Sequence, residues 1–352
     1  MDYQQEFEEL ILTLIREGGS DLHISTDRYP AVRVAGELIF LVKRKIFTKE
    51  DVMGILNVIL DKPKVDRFLE NQEFDFSYDF KGQARLRGNA FFQKGTISVA
   101  LRLIPKIQTL AELKLPPILE EIAHKKQGFF LAVGPVGQGK STTLSAMVNI
   151  INNSRAEHII TIEDPIEYVY EANKSIIDQR EVGIDTKDFN NALKSAFRED
   201  ANVLMIGEMR NAETISTAVT AAETGHLVLS TLHTNNAAQT IDRIIDSFPA
   251  NQQDQIRSQL AGSLIGIFSQ RLIPRIAGGL VPAYELLLNN NAVSNLIREE
   301  RTHEIDVIIE TGAENGMIDL NRSLVELVRA GEITLENAYA YSLNPKALER
   351  LL

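Results

Sequence analysis

Gly134-Pro135-Val136-Gly137-Gln138-Gly139-Lys140-Ser141 has the spacing of a phosphate-binding loop, G-x-x-x-x-G-K-[ST]. Before it, the apolar run Gly128-Phe129-Phe130-Leu131-Ala132-Val133 reads as a buried strand. After it, Thr142 to Ile151 carries Leu144, Val148 and Ile151 at helical spacing. Strand, glycine-rich loop and helix in that order suit a nucleoside triphosphate, because the glycines let backbone N–H groups converge at a helix N-terminus whose dipole favours anions. Lys140 adds a point charge for the outer phosphates and Ser141 a hydroxyl ligand for Mg²⁺. Residues 134–141 with Thr142 are therefore the expected nucleotide-binding set, with ATP and Mg²⁺ as cofactors.

Downstream of the loop, strands and helices alternate. His158 to Ile162 is an apolar strand ending at Glu163-Asp164-Pro165, and Asp188 to Glu199 reads as a helix with Phe189, Ala192, Leu193, Ala196 and Phe197 on one side. Ala201 to Ile206 is a second strand, followed by Gly207-Glu208 and an Ala-rich helix over Ala212 to Thr224. Leu227 to Thr231 is a third, ending near His233. The expected class is α/β, a mostly parallel sheet covered by helices, with ligands at the carboxyl ends of the strands. The loop, Glu163, Glu208 and His233 all fall at such ends. Farther on, Gln255 to Leu272 reads as one long amphipathic helix, and Leu320 to Leu352 as a helical end that either completes the core or docks a partner.

Upstream lies a different composition. Gln4 to Glu17 is an amphipathic helix stopping at Gly18-Gly19, and short strands follow at residues 22–24, 31–34 and 38–41. Thr48 and Asp51 form a variant capping box ahead of a second helix, and Pro63 opens a third. Phe74, Phe76, Tyr78 and Phe80 then alternate with polar residues, as a half-buried strand requires. The next two strands set Arg85, Arg87 and Arg102 on polar faces, where they are either solvated and paired with carboxylates or reserved for an anion. Residues 1–105 are thus a small α+β domain, 106–117 a proline-containing linker, and 118–352 the nucleotide domain.

The chain has 37 Lys plus Arg against 48 Asp plus Glu, a net charge of -11, so a nucleic-acid backbone is repelled overall. The sequence has no apolar run long enough for a membrane span and an acidic start where a signal peptide is basic, which predicts a cytoplasmic protein without direct membrane insertion. With no cysteine, thiolate zinc sites are excluded.

Phosphoryl transfer to water needs an organised metal, a carboxylate that polarises water, and positive charge on the leaving oxygens. Glu208, after the run Val203-Leu204-Met205-Ile206, is expected to hold the metal shell with Ser141, and Glu163 to activate water. The competing role for either acid is a helix cap or surface charge. His226 and His233 flank one strand, and each is either a phosphate partner or a satisfied core histidine. Arg85, Arg87 and Arg102 are the candidate fingers.

The blocks Ser20-Asp21-Leu22-His23-Ile24-Ser25, Gly134 to Thr142, Thr161 to Glu167, Ile206-Gly207-Glu208-Met209-Arg210 and Gly225 to Thr234 resemble the secretion-ATPase superfamily, and within it the PilT/PilU family of pilus retraction motors. The resemblance implies a RecA-like ATPase domain preceded by a PAS-like domain, with a Walker A loop at 134–141, an Asp box at Glu163, a Walker B motif ending at Glu208 and a His box with His226 and His233. It also implies that Arg85, Arg87 and Arg102 reach the γ-phosphate. A homo-hexamer is expected, working on an inner-membrane pilus platform protein at the inner face of the membrane, in some systems beside a paralogous motor. Ala292 to Glu299 is similar to the family's C-terminal retraction motif, although Ser294 stands where that motif has arginine. Gln138 departs from the usual serine. A PilU-like accessory motor, an assembly ATPase and, more distantly, a nucleic-acid translocase or a non-hydrolysing regulator are the competing readings.

Overall fold

A computed structural model describes residues 2–34 and 36–352. The chain divides into two compact units, one ending at Lys106 and one beginning at Ile107.

In the first unit, helix α1 (Tyr3–Arg16) precedes strands β1 (Gly19–Ser25), β2 (Ala31–Val34) and β3 (Glu37–Phe40). Helices α2 (Lys49–Ile59) and α3 (Lys62–Asn71) and strands β4 (Glu73–Phe80), β5 (Ala84–Gln93) and β6 (Thr96–Ile104) follow. The six strands form an antiparallel sheet ordered β3-β2-β1-β6-β5-β4. Its core takes Phe7, Leu10, Ile11 and Leu14 from α1 and Phe76, Phe80, Leu86 and Ala90 from the β4–β5 hairpin. Thr48 caps α2 through a capping box with Asp51, as expected. The apolar run at 38–41 forms the short edge strand β3, with Leu38, Ile39 and Phe40 exposed.

The second unit begins at Ile107, inside the stretch expected to be a linker. Leu110 and Leu115 are buried with Leu119 in the unit's own core, because this segment covers the sheet instead of spanning solvent. Then come α4 (Ile118–Ala123), β7 (Gly128–Val133), α5 (Lys140–Ser154), β8 (His158–Glu163), β9 (Ile176–Glu181), α6 (Phe189–Ala196), β10 (Val203–Ile206), α7 (Ala212–Glu223), β11 (Leu227–Leu232), α8 (Ala237–Asp246) and α9 (Ala250–Ser263). Strands β12 (Leu264–Pro274) and β13 (Leu280–Leu288) complete a seven-stranded sheet ordered β13-β12-β7-β11-β10-β8-β9, parallel except for the β12–β13 pair. The interior strand β7 is buried on both faces: Phe129, Leu131 and Val133 enter one core and Phe130 and Ala132 the other.

The helix expected over Gln255 to Leu272 ends at Ser263, and its second half is β12. Apolar positions 264, 268 and 272 fit a helical period and a strand equally. Pairing with β7 and β13, which no local pattern reveals, decides for the strand. After β13, α10 (Asn291–Arg298), α11 (Ile305–Thr311), α12 (Leu320–Arg329), α13 (Leu335–Tyr341) and α14 (Pro345–Leu351) close the chain. Leu324, Ala338 and Leu348 bury against Ile273, Val281 and Ala283 of the β12–β13 hairpin, so the apolar faces of the last helices complete a core.

Candidate functional site

The loop after β7 is shaped by its glycines and by β12 beneath it. Gly134 has φ +146°, and a Cβ there would lie 2.5 Å from the Gln270 carbonyl oxygen, so only glycine fits. Gly139 occupies the N-cap of α5 with φ 80°, and no side chain caps the helix, which leaves its first N–H groups for an anion. Two glutamines fasten the loop. Leu272 N–H donates to Gln138 Oε1 at 2.6 Å, and Thr143 Oγ1 donates to Gln270 Oε1 at 2.6 Å.

Lys140 is folded back onto its own loop. Its Nζ donates to the Gly134 carbonyl at 2.9 Å and the Pro135 carbonyl at 2.8 Å, and lies 3.4 Å from His233 Nδ1. Burial pulls its pKa down to about 8, with Arg271 adding to the shift and Glu167 and Glu208 opposing it. Burial, and then the nearby Lys140, also lower His233. His233 Nε2 lies 3.7 Å from Glu208 Oε2, so the ring stands between Lys140 and Glu208.

Both acids expected at strand ends line the same cavity of about 210 Å³ as Lys140, Ser141 and His233. Glu163, the last residue of β8, is 5% exposed. Burial raises its pKa, against the bonds it accepts from Thr161 Oγ1 at 2.6 Å, Gln179 Nε2 at 3.3 Å and the Glu167 N–H at 3.4 Å. Those donors fix the carboxylate while leaving lone pairs for water. Glu208, just beyond β10, is ion-paired with Arg210, which also lies 3.7 Å from Asp164. Ser141 and Glu208 offer one hydroxyl and one carboxylate, a hard-oxygen pair that fits Mg²⁺ when phosphates and waters complete the shell.

Two sequence expectations fare differently. His226 precedes β11 and so lies at the opposite end of that strand from the loop, its Nδ1 3.0 Å from the Ala221 carbonyl and its ring edge-on to Phe197. Within this unit it packs against α7 and Phe197 and does not line the cavity. The arginines stand on the β5–β6 face of the first unit as predicted. Arg102 Nε bonds Asp21 Oδ1 at 2.9 Å, and Arg87 faces Arg102 directly across the pair. Sequence reasoning passed over Tyr168, whose hydroxyl is 2.7 Å from Thr142 Oγ1, as well as Tyr170, Gln179, Arg210 and Gln270. Only Arg210 carried a readable signal, two residues after Glu208 in a recognised block.

The model of the type II/IV secretion system protein family matches residues 4–281. The chain is 44% identical to the type IV pilus retractation ATPase PilT of Pseudomonas aeruginosa over 331 residues, 94% of this chain and 96% of that one. It is 41% identical to the type IV pilus ATPase PilU of the same organism, over 96% of this chain and 88% of that one. A crystal structure of the pilus retraction motor PilT with bound ADP superposes with a TM-score of 0.91 at 46% identity, covering 97% of this chain and 98% of that chain.

Proposed function

The chain belongs to the type II/IV secretion system protein family, and on that premise we propose that it is a Mg²⁺-dependent ATPase powering type IV pilus retraction as a homo-hexameric motor. One observation carries the proposal: Lys140, Ser141, Glu163, Glu208 and His233, from four different strand ends, line a single cavity in a chain similar throughout to a retraction ATPase.

The division of labour follows from position. Backbone N–H groups of the loop and the start of α5 cradle the phosphates, and Lys140 leaves its two carbonyls to meet the outer ones. Ser141 and Glu208 would hold Mg²⁺, which supplies charge neutralisation across the phosphates. Glu163, held by Thr161, Gln179 and the Glu167 backbone, orients the attacking water and accepts its proton. His233, between Lys140 and Glu208, offers an imidazole to the phosphates. Arg85, Arg87 and Arg102 supply positive charge to the developing oxygens. His226, at the other end of β11, is given no role in this scheme.

The proposed partners are a second and further copies of the chain, the pilus platform protein at the inner face of the cell membrane, and a paralogous motor. Among the described residues no helix is long and apolar enough to cross a membrane, so attachment is assigned to those proteins. Glu208→Gln tests the whole assignment. The purified variant should bind nucleotide but hydrolyse at least about a hundredfold more slowly, and cells carrying it should stop twitching while keeping surface pili in excess. Near-normal turnover would remove Glu208 from the mechanism, and bald cells would point to an assembly motor.

A further inference from the structure

Arg271 of β12 is 6% exposed, and its guanidinium joins two loops that face the nucleotide cavity. Its Nη2 donates to the Asn235 carbonyl at 3.1 Å and to Asn235 Oδ1 at 3.0 Å, two residues after His233, and its Nη1 donates to the Gln270 carbonyl at 2.9 Å. That Nη1 also sits against the start of the phosphate loop, where a Cβ on Gly134 would lie 3.2 Å from it. Two cations thus meet at Gly134, since Lys140 Nζ donates to its carbonyl at 2.9 Å and the charge of Arg271 adds to the lowering of Lys140 that burial begins. Every acceptor of Arg271 is neutral, and among the described residues no carboxylate bonds it. Glu285 is the acid that attracts its charge, but burial, with Asp306 and Asp319 nearby, pushes the Glu285 carboxyl up to about 7, so near neutral pH that counter-charge is only partly formed. A guanidinium buried on carbonyls alone has lost water without gaining a counter-ion, which destabilises the chain until an anion joins it; an apolar side chain of similar length would avoid that cost.

We propose that Arg271 is a positioning residue for the nucleotide's phosphates: its charge is buried without an acid partner and the phosphates supply the missing anion, while its guanidinium braces the Gly134 and Asn235 loops around them. The inference rests on the nucleotide-binding reading of the cavity. Arg271 does not line that cavity, so it touches no phosphate; it acts through the two loops and through Coulomb attraction that a buried corner leaves poorly screened.

Arg271→Gln and Arg271→Lys separate charge from bracing, because glutamine keeps an amide donor without the charge and lysine keeps the charge without the planar fork. The probe is a fluorescent ADP analogue titrated into the purified full chain at neutral pH. Its affinity should fall at least about tenfold in Arg271→Gln and stay within about threefold of wild type in Arg271→Lys. Calorimetry at about pH 8.5 should also show less proton uptake on ADP binding in Arg271→Gln than in wild type, because Lys140 then holds its proton before nucleotide arrives. Equal weakening of both variants with proton uptake unchanged would show a brace without an electrostatic role, and unchanged affinity in Arg271→Gln would show an idle charge; either overturns the proposal. Arg271→Met serves as the neutral variant if Arg271→Gln does not fold. If wild type and the neutral variant bind the analogue equally, only this inference fails, whereas a wild type that does not bind it removes the nucleotide-site reading and this inference together.

Discussion

Lys140 is the residue on which the site's electrostatics turn. Bound to two carbonyls in a buried corner, its ammonium drops from an ordinary 10.5 to about 8. Its sign as a stability term follows: the folded chain releases this proton at lower pH than the unfolded one, so the cost of burying the charge is full below about pH 8 and eases as pH climbs toward 10. Phosphate favours the charged form, so nucleotide binding near pH 8 must draw a proton from solvent. Calorimetry of ADP binding in buffers of different ionisation heat should show greater net uptake at pH 8.5 than at pH 7. Equal uptake at both would mean that Lys140 is fully charged before nucleotide arrives. The two histidines show what spacing alone conveys at this scale. His226 and His233 share one motif, but a six-residue strand at about 3.3 Å per residue sets its ends roughly 20 Å apart. Because β7 and β11 run parallel, only the histidine after β11 shares an end with the loop after β7. That pairing was deducible in outline from the strand order expected of an α/β sheet; the motif obscured it.

At the scale of elements, β12 controls more of the site than its sequence suggests. Its pairing with β7 stops at Ser269 opposite Val133, where the chain leaves the sheet to form the phosphate loop. Farther along, the Leu272 N–H has the Gln138 side chain as acceptor, so a loop residue continues the ladder that the strand abandons. Gln270 holds Thr143 of α5, while Ser269 and Arg271 hold the Asn235 backbone just after His233. One strand thus props both loops that face the phosphates. Gln138→Ala would leave the Leu272 N–H unpaired and free the loop, so ADP affinity should fall about three- to tenfold with kcat at saturating ATP within about twofold. Fluorescence titration beside steady-state turnover measures the two separately; a loss confined to kcat would place Gln138 in the chemistry instead. None of this was legible beforehand. The phosphate loop announces itself because eight consecutive residues carry its whole geometry. The contacts of β12 join positions separated by 127 and 134 residues, and β12 itself was read as helix because period 4 and alternation coincide in its apolar residues.

At the scale of the whole molecule, the sequence separated an antiparallel α+β unit from a parallel α/β one because alternation of period two gives way to strand–helix alternation, and each unit has its own core. The alternation says nothing about which arginine serves which nucleotide, since that depends on assembly. The first unit's sheet does hold a motive for an anion: Arg87 and Arg102 are directly opposed, and like charges in register destabilise a strand pair unless a counter-charge joins them. Asp21 meets only part of that need, through Arg102. If a ring lets one subunit's arginines serve the nucleotide of another, two dead variants should rescue each other. Lys140→Ala subunits lack the phosphate contact but keep Arg87; Arg87→Ala subunits keep the loop but lack the finger. In rings mixed at equal proportions, about a quarter of the junctions combine an intact loop with an intact arginine from its neighbour. Turnover in the mixture should therefore rise to a sizeable fraction of wild type, well above either variant alone. If each arginine serves only its own subunit's nucleotide, every site still carries a lesion and mixing gains nothing.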